Sequence, residues 1–166
     1  MPNWCYNEME VTGSKENLVK FMDFIKGDKR DFDFNKVLPY PEEYEKLDLE
    51  TPDQFVGYNN GGYNWCIKNW GTKWNACEPN ITLTDVSPKS SIVEISFDSA
   101  WSPSEPITRK LSELFPDLTF KHSYEEGGCD FSGCLVCKNG KILEDKTGLY
   151  DDFPISEHYY EEDEED

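Results

Sequence analysis

Two helical stripes, each preceded by an alternating stretch, constrain what this chain can fold into. Residues 3–12, NWCYNEMEVT, put Cys5, Asn7, Met9 and Val11 on one face and Trp4 and Tyr6 on the other, the period of a strand. Gly13 turns the chain and Ser14 suits an N-cap, its oxygen able to take an orphan backbone N–H. KENLVKFMDFIKG then sets Leu18, Phe21, Met22 and Ile25 at i, i+3, i+4 and i+7, with Gly27 suited to the C-cap. The pattern returns later. NITLTDVS and SIVEISFDSA alternate across an SPKS hairpin connection. Ser102 or Ser104 can cap a second helix whose stripe is Ile107, Leu111, Leu114 and Phe115, ended by Pro116. DLTFKHSY alternates again, with Leu118, Phe120, His122 and Tyr124 on one side, and Asn139-Gly140 marks a tight hairpin after CDFSGCLVC.

The order β-α-insertion-β-β-α-β, plus a final hairpin, predicts an α+β protein. Its topology is the split βαβ, or ferredoxin-like, sandwich: one antiparallel sheet with both helices on a single face. A domain over residues 1–149 is expected, with an inserted region at about 28–79 and an acidic, flexible tail at 150–166. In the insertion, FDFNKVLPYP reads as a short strand, PEEYEKLDLE as a helix begun at Pro41, and TPDQFVGYNNGG as loop. A helix over 62–70 would align Tyr63, Cys66, Ile67 and Trp70, with Gly71 ending it in left-handed conformation. Trp70 and Trp74 are expected to clamp the insertion to the sheet, leaving Trp65 the most exposed of the three.

Charge narrows the partners. The net charge of −18 opposes sequence-independent binding to DNA or RNA, which depends on Lys and Arg displacing counterions. It equally opposes an anionic membrane surface, and it favours a basic partner. Half of it lies in YDDFPISEHYYEEDEED, which has nine carboxylates and no Lys or Arg. The candidate contacts to a basic protein surface are Glu42, Glu43, Glu45, Asp48, Glu50 and Asp53 in the insertion, with Asp151, Asp152, Glu161 and Glu162 in the tail. The N-terminus lacks the basic and apolar regions of a signal peptide, so a cytoplasmic location is expected.

No phosphate loop, zinc-protease helix, nucleophile elbow or kinase signature occurs, and a non-catalytic protein without cofactor is expected. Cys129, Cys134 and Cys137 have the C-x4-C-x2-C spacing of some iron–sulfur proteins. In a strand, however, Cys134 and Cys137 face opposite sides, so no metal site is expected. Of the two histidines, His122 falls in a strand pattern, where a satisfied, partly buried role is expected; His158 lies among tail carboxylates that favour its protonated form. A nucleophilic pair of Cys129 with His122 is conceivable, and Glu125 stands at a strand end before Gly127-Gly128. An alternative to charge docking is a ligand, nucleotide or single-strand RNA site built from Trp70, Trp74 and Trp101 with Lys73.

Four segments, MPNWCYNEMEVTG, NWGTKWNA, SFDSAWSPSEP and FPDLTFKHSYEEGGCDFSG, occur in this order. Together they resemble the YubB-type ferredoxin-like domain family, known mainly from conjugative plasmids and phages. The resemblance spans most of residues 1–145 and implies the fold above, an inserted region and a home on mobile DNA. It implies no catalytic residue, and the acidic segment beyond residue 150 is expected to lie outside it. Charge and this context together lead to the expectation of an anti-CRISPR-like inhibitor that imitates nucleic acid.

Overall fold

Strand β1 (Trp4–Gly13) is the centre from which the sheet is built. The computed structural model describes residues 1–155; the expected tail, with His158, Glu161 and Glu162, lies outside the described residues from 156 onward. β1 pairs antiparallel with β3 (Ser90–Ala100) on one side and β4 (Thr119–Glu126) on the other. β2 (Cys77–Ser87) flanks β3, and β5 (Phe131–Lys138) and β6 (Lys141–Gly148) extend the sheet beyond β4, giving the order β2-β3-β1-β4-β5-β6. This is the split βαβ sandwich that the periodicities imply, with the hairpin widening it. Asn139 and Gly140, both at positive φ (52° and 73°), make the β5–β6 turn.

Both framework helices, α1 (Lys15–Ile25) and α5 (Glu105–Leu114), cover the same face. Leu18, Phe21 and Ile25 of α1 and Ile107 and Leu111 of α5 meet Met9, Val11, Val93, Ile95, Phe97, Leu118 and Phe120 in one apolar core. Ser14 caps α1, accepting the Asn17 N–H at 3.2 Å. The helix stops at Lys26, whose backbone is extended, so Gly27 is not the left-handed cap its position implied. Gly27 instead leaves room for Asp33, whose carboxylate a Cβ there would strike. Ser104 does occupy the N-cap position of α5, but its hydroxyl makes no capping bond: Pro106 has no N–H, and the Ile107 N–H donates to the Ser104 carbonyl at 3.1 Å.

The insertion between α1 and β2 is more helical than expected. Residues 34–37 form a short helix, α2 (Phe34–Val37), rather than a strand. Asp33 accepts the Asn35 N–H at 2.9 Å and so favours a helical start. Phe32, Phe34 and Val37 are all buried by it. α3 (Glu42–Glu50) begins after Pro41 and buries no residue. Residues expected as loop form a wide helical turn over Tyr58–Gly62 that runs into α4 (Tyr63–Trp70). Gly71, at φ 78°, ends α4 in the left-handed region as expected. Only half of the α4 stripe is buried: Cys66 and Trp70 enter the core, while Tyr63 and Ile67 remain exposed. Among the described residues no helix is long and apolar enough to cross a membrane.

Trp70, 5% exposed, ties the insertion to the sandwich. Its indole N–H donates to the Leu38 carbonyl at 2.8 Å, and its ring meets Phe34 and Trp65 edge-on. Phe34 in turn packs on Phe97 of β3. Trp70→Ala is expected to cost about 3–5 kcal/mol in urea unfolding, through the cavity and the lost aromatic contacts.

One polar chain crosses the core. His122 is fully buried, with Nδ1 2.8 Å from Thr108 Oγ1 and Nε2 2.8 Å from Asn7 Oδ1. Asn7 Nδ2 donates to the Cys5 carbonyl and to Ser99 Oγ, which itself donates to the Ser102 carbonyl. This orientation leaves Oδ1 to accept from His122, so Nε2 carries the proton and Nδ1 accepts from Thr108. Burial pulls the His122 pKa from 6.5 down to about 3. Between those values the unfolded chain binds the extra proton and the folded one does not. Stability is therefore fully present above pH 6.5 and declines as pH falls, by about 1.4 kcal/mol per unit from this residue. His122→Leu should lower stability at neutral pH by orphaning Asn7 and Thr108, and should flatten the acid decline by one proton's worth. Urea titrations across a pH series read both effects, and an unchanged slope would contradict the assignment.

Candidate functional site

Residues of the central strands that do not enter the core face away from the helices. On β1 these are Tyr6, Glu8, Glu10 and Thr12. The register sets Glu10 between Glu94 of β3 and Lys121 of β4, and Tyr6 between Asp98 and Glu125. Oxygens of Glu8, Glu10 and Glu94 lie within 4.8 Å of one another. Burial, then the neighbouring Glu94 and Glu10, push the Glu8 carboxyl above the usual carboxylate range, and Lys121 relieves this only in part. Asp98 is raised by burial and by Glu78; Glu125 is raised by burial against a hydrogen bond from the Ile155 backbone. Crowded carboxylates of this kind gain from any cation brought among them, whether ammonium or guanidinium.

The chain beyond β6 folds back onto this end of the face. Ser132 Oγ donates to the Leu149 carbonyl and accepts the Phe153 N–H. Asp151 and Asp152 are exposed there, although Asp152 also closes the turn by accepting the Leu149 N–H at 2.8 Å. Sequence reasoning named these two but missed Glu8, Glu10, Glu94 and Asp98. Alternation alone placed Glu8 and Glu10 on the polar side of β1; the cross-strand register that adds Glu94 has no local signal.

The insertion acids divide. Glu43, Glu45, Glu50 and Asp53 are exposed without an ion pair among the described residues, and Glu42 pairs with Lys46 at 3.0 Å. Asp48 is structural: Tyr40 Oη donates to it at 3.0 Å and the Tyr58 N–H at 2.9 Å.

Beneath α3 and α4 lies a cavity of about 680 Å³ lined by Trp70, Trp74, Phe55, Lys73, Arg30 and Asp48 among others. Three of the four residues expected to form a ligand pocket meet in it. Trp101 does not; it sits at the end of β3 with φ 70°, its N–H bonded to the Asn3 carbonyl. The tryptophans also exchange roles. Trp65 packs against the core beside Tyr40 and Trp70, whereas Trp74 stays 39% exposed, its ring 6.1 Å from that of Trp4. TKWNA crosses the insertion near the start of β2, so Trp74 reaches the rim rather than the core.

The remaining chemical candidates are kept apart. Cys137 is buried and Cys134 lies on the other side of β5, while Cys129 is exposed in the β4–β5 turn. There its backbone N–H donates to Glu126, which also takes the Gly128 N–H, each at 2.7 Å. Both ring nitrogens of His122 are engaged by Thr108 and Asn7, so it offers Cys129 no base.

Comparison with known proteins agrees with this architecture. The profile of the ferredoxin-like domain in Api92-like protein matches residues 69–166, more than half of the chain. The match runs to the last residue, so the acidic end falls within it, contrary to the expectation that similarity stops before residue 150. YubB of Escherichia coli strain K12 is 27% identical over 105 residues, 61% of this chain and 70% of YubB. A crystal structure of protein api92 from Yersinia pseudotuberculosis superposes with a TM-score of 0.57 at 14% identity, covering 93% of this chain and all of that one. At that identity the likeness concerns the fold alone. With the profile covering the β2-to-C-terminal part of the sandwich, the chain belongs to the YubB/Api92-type family of ferredoxin-like domains.

Proposed function

We propose that this protein is a non-catalytic docking protein whose open sheet face receives a basic surface of another protein. The observation that carries this reading is the Glu8–Glu10–Glu94 cluster, with oxygens within 4.8 Å, set among Asp98 and Glu125 and opposed mainly by Lys121. Folding alone gains nothing from gathering like charges on one face, since like-charged cross-strand neighbours are destabilising. Arg or Lys side chains from a partner relieve that repulsion on association. Groove-lining Arg and Lys are what nucleic-acid-handling proteins present to phosphate, so we propose such a protein as the partner and its inhibition as the outcome. A home on mobile DNA, which the resemblance implies, would make that partner a host nucleic-acid-handling or defence protein, in the manner of an anti-CRISPR. Asp151 and Asp152, on the segment that folds back beside Ser132, widen the same negative field.

The test uses a fluorescent deca-arginine peptide and anisotropy at low and moderate salt. Glu8→Gln, Glu10→Gln and Glu94→Gln combined should weaken binding about tenfold, since each exposed pair contributes up to about 1 kcal/mol. Because these side chains face away from the core, circular dichroism should be unchanged. Neutralising Glu43, Glu45 and Glu50 on α3 should cost less. If the α3 variant loses as much as the sheet variant, or the sheet variant loses nothing, the open face is not the docking surface.

A further inference from the structure

The cavity under the insertion has a character opposite to the rest of the molecule. Its walls are aromatic, and two of its large rings are left at the rim: Trp74 is 39% exposed and Phe55 57%. Phe55 is also held at φ 50°, a left-handed conformation unusual for an aromatic residue. The charges within reach are reversed as well. Lys73 Nζ lies 4.1 Å from the Trp74 ring centroid. Arg30 Nη1 donates to the Ala76 carbonyl at 2.6 Å, and its other donors have no hydrogen-bond partner among the described residues. Neither cation forms an ion pair among the described residues. The carboxylate in the lining, Asp48, is already engaged by Tyr40 and Tyr58. Cys66 and Tyr58, at the cavity wall, are each pushed up to about 12 by burial and stay neutral. In a chain of net charge −18, this lining carries two cations and one carboxylate.

We propose that this cavity binds a small planar anion: an aromatic ring bearing a phosphate or carboxylate. The ring would pack on the apolar wall of Trp70, Phe55 and Trp74, and the anionic group would take the free donors of Arg30 and Lys73. The volume of about 680 Å³ lies within the range of small-molecule sites. Stacking supplies affinity without base-specific contacts, and the charge-assisted hydrogen bonds select the anion over the neutral ring. The residues that line this site do not include the Glu8–Glu10–Glu94 cluster of the sheet face.

Isothermal titration calorimetry of the full chain tests it with four probes: adenosine monophosphate, adenosine, indole-3-acetate and inorganic phosphate. Binding of adenosine monophosphate or indole-3-acetate is expected, and whichever binds tighter identifies phosphate or carboxylate as the favoured anion. Adenosine and inorganic phosphate should each bind at least tenfold more weakly than the compound that joins ring and charge. Lys73→Gln, on an accessible side chain, should weaken the preferred probe several-fold and leave the folded spectrum intact; Arg30→Gln should act in the same direction. Trp74→Phe should weaken it less than Trp74→Ala. The proposal is overturned if no probe binds at millimolar concentration, if adenosine matches its monophosphate, if phosphate alone suffices, or if Lys73→Gln changes nothing.

Discussion

The alternation of β1 partitions the whole molecule. Its odd-numbered residues, Cys5, Asn7, Met9 and Val11, enter the core beneath two helices, and its even-numbered residues, Glu8 and Glu10 among them, are turned outward. Because β1 lies between β3 and β4, every neighbour inherits that division: Val93, Ile95 and Phe97 point inward with Phe120 and His122, while Glu94, Asp98, Lys121 and Glu125 point outward. A one-residue slip of β1 would bury two glutamates and expose Met9 and Val11. Apolar burial thus fixes the register, and the register assembles the acids. The same register that buries the apolar residues therefore gathers the acids, and Lys121 offsets them only in part.

Asn7 protects that register from within. An apolar residue there would pack equally well at several offsets, but the Asn7 amide bonds His122 on β4 and Ser99 on β3 only when the three strands are aligned as observed. A buried polar network of this sort adds little net stability when satisfied and costs much when misaligned, which makes it a device for uniqueness. The insertion depends on a different kind of contact. Phe32, Phe34 and Phe97 meet edge-on, and Trp70 continues that aromatic packing outward to Trp65 and Tyr40. Helix α3, with no buried residue of its own, is held through Tyr40 and Asp48 rather than through an apolar stripe.

The framework was legible because its signals are local. The stripes of α1 and α5, the SPKS connection and Asn139-Gly140 each need only a few consecutive residues, and each appears where the pattern puts it. The insertion was less legible because its sequence carries competing signals. Phe32-Asp33-Phe34 alternates like a strand, yet Asp33 caps a helix and both phenylalanines are buried by it. Trp65 and Trp74 reverse their expected exposures because exposure there depends on Tyr40, Trp70 and Trp4, residues brought near by tertiary folding. For the candidate site, composition announced an acidic surface but located it on α3 and beyond residue 150. The three glutamates that converge come from β1 and β3, more than eighty positions apart, and only strand pairing brings Glu94 to Glu10.

The two outer strands bear on how such a molecule can meet others. β2 carries Pro79 and irregular register at both ends, and β6 is bulged beside Leu143 with Lys141, Glu144, Asp145 and Lys146 along it. Unpaired backbone along a sheet margin is an invitation to strand addition and fibrous self-association; a proline, bulges and charges of both signs withdraw it. Ribbon-to-ribbon growth is thereby discouraged at either margin, and what is left for recognition is broadside contact through side chains.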